Sequence, residues 1–244
     1  MSKKINVTIW NEYRHERSEE RIREIYPEGI HGQVAKFLGE LDVNNEFNIR
    51  TATLDEPQNG LPDEVLNDTD VLLWWGHIAH HEVPDDLVNR ITGRVYNDGM
   101  GFIALHSGHH SKPFRQIVGT TGNLLWSDNQ HEIVWNVNAA HPIAAGVGEY
   151  IDLELEEMYG EPFAIPQPDE LVFMSWFEHG YVFRSGCCWT KGRGRVFYFQ
   201  PGHEECRSYY NPQVQRVIYN AVKWAKPNEF GAPVHHCDYR GNIC

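Results

Sequence analysis

The residues best able to do chemistry in this 244-residue chain are its 14 histidines, most of which occur in groups. His77, His80 and His81 form one group, His106, His109 and His110 a second, and His235 and His236 a third. Imidazole binds divalent metals and titrates near neutrality, so each group offers a ligand, a base or an acid. The middle group ends the stretch Gly101-Phe102-Ile103-Ala104-Leu105-His106-Ser107-Gly108. Its apolar run reads as a short strand buried on both faces, as in a parallel sheet. Ser111-Lys112-Pro113-Phe114 then reads as the cap and first turn of a helix. Strand, tight turn and helix make the geometry of a nucleophile elbow, here with His106 or Ser107 at its tip and no cysteine.

The elements that must position these groups follow from periodicity. Residues 5–10 are a β-branched first strand, ending at Asn11, Glu12 and His15. Residues 16–24 are highly charged and read as a solvated helix or excursion. An amphipathic helix follows, with Ile30, Val34, Phe37, Leu38 and Leu41 on one face and His31 in its first turn. Residues 46–54 form a second strand, 57–61 a loop, and 70–75 a third strand that breaks at Gly76-His77. Pro84-Asp85-Asp86 starts a helix that runs to Tyr96.

Past the central strand the pattern is less regular. Residues 132–137 read as an edge strand, and 151–159 alternate so that Glu154, Glu156 and Glu157 suggest a solvent-facing acidic surface. Strands over 171–177, 181–189 and 195–199 follow, the last two joined at Gly192-Arg193-Gly194. A closing helix covers 212–224. This alternation predicts one α/β domain over residues 1–226, with a parallel sheet covered on both faces. Residues 227–244 form a tail, read as docking on the body or on another subunit of a homo-oligomer.

Ligands of doubly wound sheets bind outside the carboxyl ends of the strands. Four strand ends there supply His15, His77, His106 and His203, with Asn11, Glu12, Ser107 and Glu204 beside them and His31 at a helix start. Taken singly, a histidine at a strand end is most often a satisfied polar cap, and Ser107 a capping hydroxyl. Convergence is what raises the reading. Three chemistries fit: a Ser107–histidine–carboxylate triad; a divalent ion, zinc by ligand type, on His77, His106, His203 and Glu157 or Glu12; or metal-free acid/base work by a histidine–carboxylate pair. The Trp74-Trp75 pair is ordinarily core, though alternation suggests that one ring faces the cleft. His80, His81, His109 and His110 read as loop surface, and the His235, His236 and Cys237 segment as docked tail.

Composition narrows the partners. A formal net charge of −13 disfavours nucleic acid and anionic membrane surfaces. No apolar stretch is long enough to span a bilayer, and the N-terminus carries no signal-peptide pattern. Five cysteines, odd in number and without a Cys-x-x-Cys pair, indicate reduced thiols and a cytoplasmic setting.

Several stretches together resemble the trehalose-utilisation (ThuA-like) family over residues 5–224. They are Trp74-Trp75-Gly76-His77, the 101–107 elbow, His141-Pro142-Ile143 followed by Gly146, Glu157-Met158-Tyr159, and the run Gly194-Arg195-Val196-Phe197-Tyr198-Phe199-Gln200-Pro201-Gly202-His203. The resemblance implies a flavodoxin-like three-layer α/β/α fold with a mostly parallel sheet, similar to class I glutamine amidotransferases. It also implies disaccharide metabolism, of trehalose or an oxidised derivative. In those amidotransferases the elbow carries a cysteine; His106-Ser107 stands there in this chain, so thiolate chemistry is unavailable. The expectation is a carbohydrate-processing enzyme, with a non-enzymatic sugar sensor as the competing class. Its catalytic groups are His106, Ser107, Glu157 and His203. Asn11, Glu12, His15, His31, Trp75 and Tyr159 surround the sugar, and zinc sits on His77, His106 and His203.

Overall fold

The computed structural model describes residues 3–228. His235, His236, Cys237 and Cys244, and with them the docking expected of the tail, lie outside the described residues. Nine strands run β1 (Ile5–Asn11), β2 (Phe47–Thr53), β3 (Val71–Trp75), β4 (Gly101–Leu105), β5 (Leu125–Asn136), β6 (Tyr150–Gly160), β7 (Glu170–Phe177), β8 (Val182–Lys191) and β9 (Gly194–Phe199) among those residues. They form one sheet in the order β2-β1-β3-β4-β9-β8-β7-β5-β6. The strands from β2 to β9 in that order are parallel, and the extension through β8, β7, β5 and β6 is antiparallel.

The apolar strands are continuous because the parallel half is covered on both faces. Ile9, Leu73, Ile103 and Phe197 stand in register across β1, β3, β4 and β9. They pack beneath α3 (Gly29–Leu41) and α7 (Pro212–Ala225) through Val34, Phe37, Val217 and Ile218. The alternate row, Trp10, Trp74, Ala104 and Tyr198, faces the other way. It meets α4 (Asp63–Asp68), α5 (Asp85–Gly93) and α6 (Lys112–Val118) through Leu66, Ile91 and Phe114. Trp10 and Trp74 stack with ring centroids 3.7 Å apart. Burying each such ring stabilises by roughly 2–3 kcal/mol. Ser111 caps α6 by accepting from the Phe114 N–H at 3.3 Å, as its position in the sequence indicates.

Four expectations change. The charged stretch after β1 folds as α1 (His15–Ser18) and α2 (Glu20–Ile25), and Glu16 is buried, not solvated. Its carboxylate accepts from Asn11 Nδ2 at 2.7 Å and the Ile30 N–H at 2.9 Å, tying β1 to α3. Strand β5 begins seven residues earlier than its alternating part and lies inside the sheet; β6 is the edge. The supposed acidic surface of β6 breaks, because the β5–β6 register shifts between Gln130 and Glu132. Asp152 and Glu154 stay exposed while Glu156 and Glu157 turn inward and are buried. Helix α4 forms where the sequence pattern gives no element.

Candidate active site

Each parallel strand ends at the same edge, and the chain beyond it carries the reactive side chains. His15 follows β1, His77 follows β3, His106 follows β4, and His203 and Glu204 follow β9. The rings meet: His15–His77 centroids are 5.2 Å apart, His77–His203 5.4 Å, His106–His203 5.3 Å and His77–His106 6.0 Å. Glu157 reaches in from β6. One ligand atom each from His77, His106, Glu157 and His203 falls within 4.8 Å of the others, and a second such set joins His15, His77 and Glu204. Three of the four strand-end histidines, His77, His106 and His203, thus share a set with Glu157, while His15 falls in the second.

His106 is the tip of the elbow, with φ +49°, and its side chain is 0% exposed. Its Nδ1 lies 2.9 Å from the Gln200 carbonyl. A carbonyl only accepts, so Nδ1 carries the proton and Nε2 of the neutral ring holds a lone pair. That Nε2 lies 2.9 Å from Glu157 Oε2, an oxygen without a hydrogen-bond partner, and 3.3 Å from Tyr159 Oη. Two lone pairs that close require positive charge between or beside them. Burial alone would lower the His106 pKa, but the Glu157 contact and the charges of Glu156 and Glu204 leave it raised. Burial likewise pushes Glu157 up, and His106 with His203 and His77 brings it below its usual range.

The second set is organised by Glu204. Its Oε1 lies 2.6 Å from His15 Nδ1 and 3.1 Å from His77 Nδ1. Burial opposes its ionisation, yet these two imidazoles hold it well below the ordinary carboxylate range. With Nδ1 of His77 facing Glu204, Nε2 is the nitrogen left for the cluster, the carboxylate–histidine arrangement that orients metal ligands. His203 is held down to about 4 by burial and by His106, so it is neutral at pH 7, and its Nδ1 accepts from the Glu205 N–H at 3.3 Å. Its backbone is fixed by Glu156, which accepts from the N–H groups of Gly202 at 2.8 Å and His203 at 3.0 Å.

Other expected site residues lie elsewhere. Glu12 accepts from the N–H groups of Ile78 and Ala79 at 2.8 and 2.9 Å; it shapes the loop carrying His77 and does not enter the cluster. Asn11 is fully buried against Glu16 and lies 3.0 Å from His31 Nδ1, and His31 packs edge-on against Tyr13. Neither lines the cleft. Trp75 is 1% exposed and donates to the Gly202 carbonyl at 3.0 Å, so it belongs to the core and not to a sugar-stacking wall. Trp74 is also core. Tyr159 does line the cleft, with its ring stacked on His106 at 5.0 Å. Ser107 lines it as well, but its hydroxyl donates to the Gly76 carbonyl at 2.9 Å, and among the described residues no histidine is placed as its base. His109, expected at the surface, is buried with Nδ1 2.7 Å from the Gly122 carbonyl.

The cleft has a volume of about 500 Å³, and its lining includes His15, His77, Glu157, His203 and Glu204 together with Trp126, Asp128 and Asn129. This size suits a small-molecule ligand. A larger hollow of about 690 Å³ beside β6, lined by Asp152, Leu155 and Arg207, contains none of the histidines. The residues missed by sequence reasoning are Glu156, Trp126 and Asp128. Glu204, named only as a neighbour, is central.

The profile described as trehalose utilisation matches residues 6–225. Among solved structures, a ThuA-like protein of Bacteroides uniformis superposes with a TM-score of 0.61 at 14% identity, covering 91% of each chain. A cytoplasmic protein of Salmonella typhimurium gives 0.60 at 13% identity, covering 91% of this chain and 99% of its own. A glutamine amidotransferase of Thermotoga maritima gives 0.56 at 8% identity, covering 91% and 98%. No curated protein sequence matches the chain. These likenesses place the fold with the flavodoxin-like, class I glutamine amidotransferase-like α/β proteins.

Proposed function

The chain belongs to the trehalose-utilisation family, and from that premise we propose that it processes a disaccharide of the trehalose type, or an oxidised derivative, in the histidine-rich cleft. In this reading His77, His106, His203 and Glu157 hold a zinc ion. Nitrogen and oxygen donors in that number suit zinc, and the unpartnered Glu157 Oε2 facing the His106 lone pair at 2.9 Å is the observation that carries the reading. Zinc bound there supplies a Lewis acid that polarises a sugar oxygen or acidifies a water.

The protein's own groups do the rest. Gln200 fixes the His106 tautomer through its carbonyl, and Glu204 places a carboxylate oxygen 3.1 Å from His77 Nδ1. Glu204, ionised and facing two imidazoles, stores negative charge beside the site. The setting we propose is cytoplasmic, supported by three buried unpaired thiols, Cys187, Cys188 and Cys206, and by the cytoplasmic description of the Salmonella typhimurium neighbour. Among the described residues no helix is long and apolar enough to cross a membrane.

A second reading rests on the raised His106 pKa: with a proton in place of the ion, His106 and Glu157 are an acid/base pair needing no metal. Following free trehalose and its oxidised derivative by NMR, with stoichiometric protein and with or without zinc, tests both readings. Zinc-dependent consumption that disappears in His106→Gln is expected. Consumption without zinc selects the acid/base pair. Sugar that binds and stays unchanged identifies a sensor and overturns the enzymatic proposal.

A further inference from the structure

We infer that Trp126 is a platform on which an uncharged pyranose ring seats, with Asp128 beside it to accept from ring hydroxyls. This rests on the carbohydrate reading above and names a subsite and a charge class for it. Trp126 is 59% exposed, although large aromatic rings usually bury their apolar surface, and it lines the same cleft as Glu157 and His203. Across the β5–β6 ladder Trp126 pairs directly with Tyr159, so both side chains leave the same face of the sheet. Tyr159 is stacked on His106. The indole therefore stands one cross-strand step, roughly 5 Å at the backbone, from a ring that touches the reactive histidine.

Local backbone geometry supports a built feature. The β5–β6 register shifts between Ser127 and Gln130, and Asn129 lies between them at φ +56°. Bulges of this kind re-aim side chains near sites, and here the re-aimed residues, Asp128 and Asn129, join the cleft wall. An aromatic face with a negative quadrupole accepts the polarised C–H face of a sugar ring, while carboxylates and amides take its hydroxyls.

The charge class follows from the wall. Among the described residues five carboxylates line the cleft (Glu19, Asp128, Glu157, Glu204 and Glu205), and no lysine or arginine does. Arg21 reaches Glu205 but is not part of the lining. Glu157 and Glu204 are 5% and 3% exposed, and carboxylates held this deep in the wall repel a phosphate or carboxylate. A divalent cation on the histidine cluster would offset two of those five charges and leave the wall acidic. The geometry thus points to a neutral sugar, with a sugar phosphate refused.

Calorimetric titration of the full chain with trehalose and with trehalose 6-phosphate tests this, using wild type, Trp126→Ala and Trp126→Phe. Because Trp126 is largely exposed, the variants should keep the wild-type melting temperature, which is checked alongside. Expected are binding of the neutral sugar about tenfold or more tighter than its phosphate, a loss of about tenfold in Trp126→Ala, and near-wild-type affinity in Trp126→Phe. Equal or tighter binding of the phosphate, or an unchanged affinity in Trp126→Ala, overturns this inference while leaving the carbohydrate reading intact. Failure of wild type to bind either sugar overturns this inference, and the carbohydrate reading falls with it if the oxidised derivative is left unbound and unconsumed as well.

Discussion

His106 occupies a left-handed backbone conformation, φ +49°, which costs an L-residue on the order of 1 kcal/mol. That this residue is lifted to the sheet edge was legible from the strand–turn–helix pattern around it. Its tautomer was not, because the deciding carbonyl belongs to Gln200, 94 positions away. Trp75 failed for the opposite reason: alternation assigns a residue to a face, and in a parallel sheet both faces are core. Glu204 shows how a neighbour becomes a determinant once two imidazoles turn toward it. Replacing it by Gln keeps its shape and removes the charge. Glu204→Gln should weaken zinc affinity about 10–100-fold, readable by competition with a chromogenic chelator, and should also lower the melting temperature, because it removes the charge facing two buried imidazoles. An affinity equal to wild type would make Glu204 an ordinary buried ion-pair partner.

At the scale of elements, the parallel half of the sheet was readable because each strand is short, apolar and followed by a helix signal. Helix α4 carried the same signal as α5, a proline before two acidic residues at Pro62-Asp63-Glu64. It was obscured by its length of six residues. The start of β5, residues 125–131, had no periodicity to read; pairing with β6 makes it a strand. The turn after β9 depends on Gly202, whose φ is +132°, and an added Cβ there would run into the Tyr209 ring. Gly202→Ala is expected to cost about 2–4 kcal/mol and to displace His203. Denaturant unfolding together with zinc affinity reads both effects. Glu156 holds the same turn by two backbone N–H groups and the Ser208 hydroxyl. Glu156→Ala, which orphans those donors in a buried site, should destabilise by about 2–4 kcal/mol, measured the same way; a loss under about 0.5 kcal/mol would remove its anchoring role.

Over the whole molecule, the two halves of the sheet divide the work: the parallel half brings histidines to one edge, and the antiparallel extension swings Glu157, Tyr159 and Trp126 over them. Burial also sets the pH response. His203 is held to about 4, His80 to about 3 and His109 well below its normal value, in each case chiefly by burial. The unfolded chain therefore binds protons below pH 6.5 that the folded chain refuses, and stability falls on acidification, by about 1.4 kcal/mol per pH unit for each excluded proton. His15 and His106 are raised, so their contribution is complete below pH 6.5 and is lost as pH rises through their folded values. Metal-free protein should thus be most stable near neutrality. A melting temperature that does not drop between pH 6.5 and 4.5 would contradict these burial effects. The proposal that three imidazoles and Glu157 form one working centre is tested most directly by titrating zinc into metal-stripped wild type and Glu157→Gln. About one equivalent bound by wild type, at least about tenfold more weakly in the variant, is predicted; no stoichiometric uptake, or equal affinity in both, would contradict it.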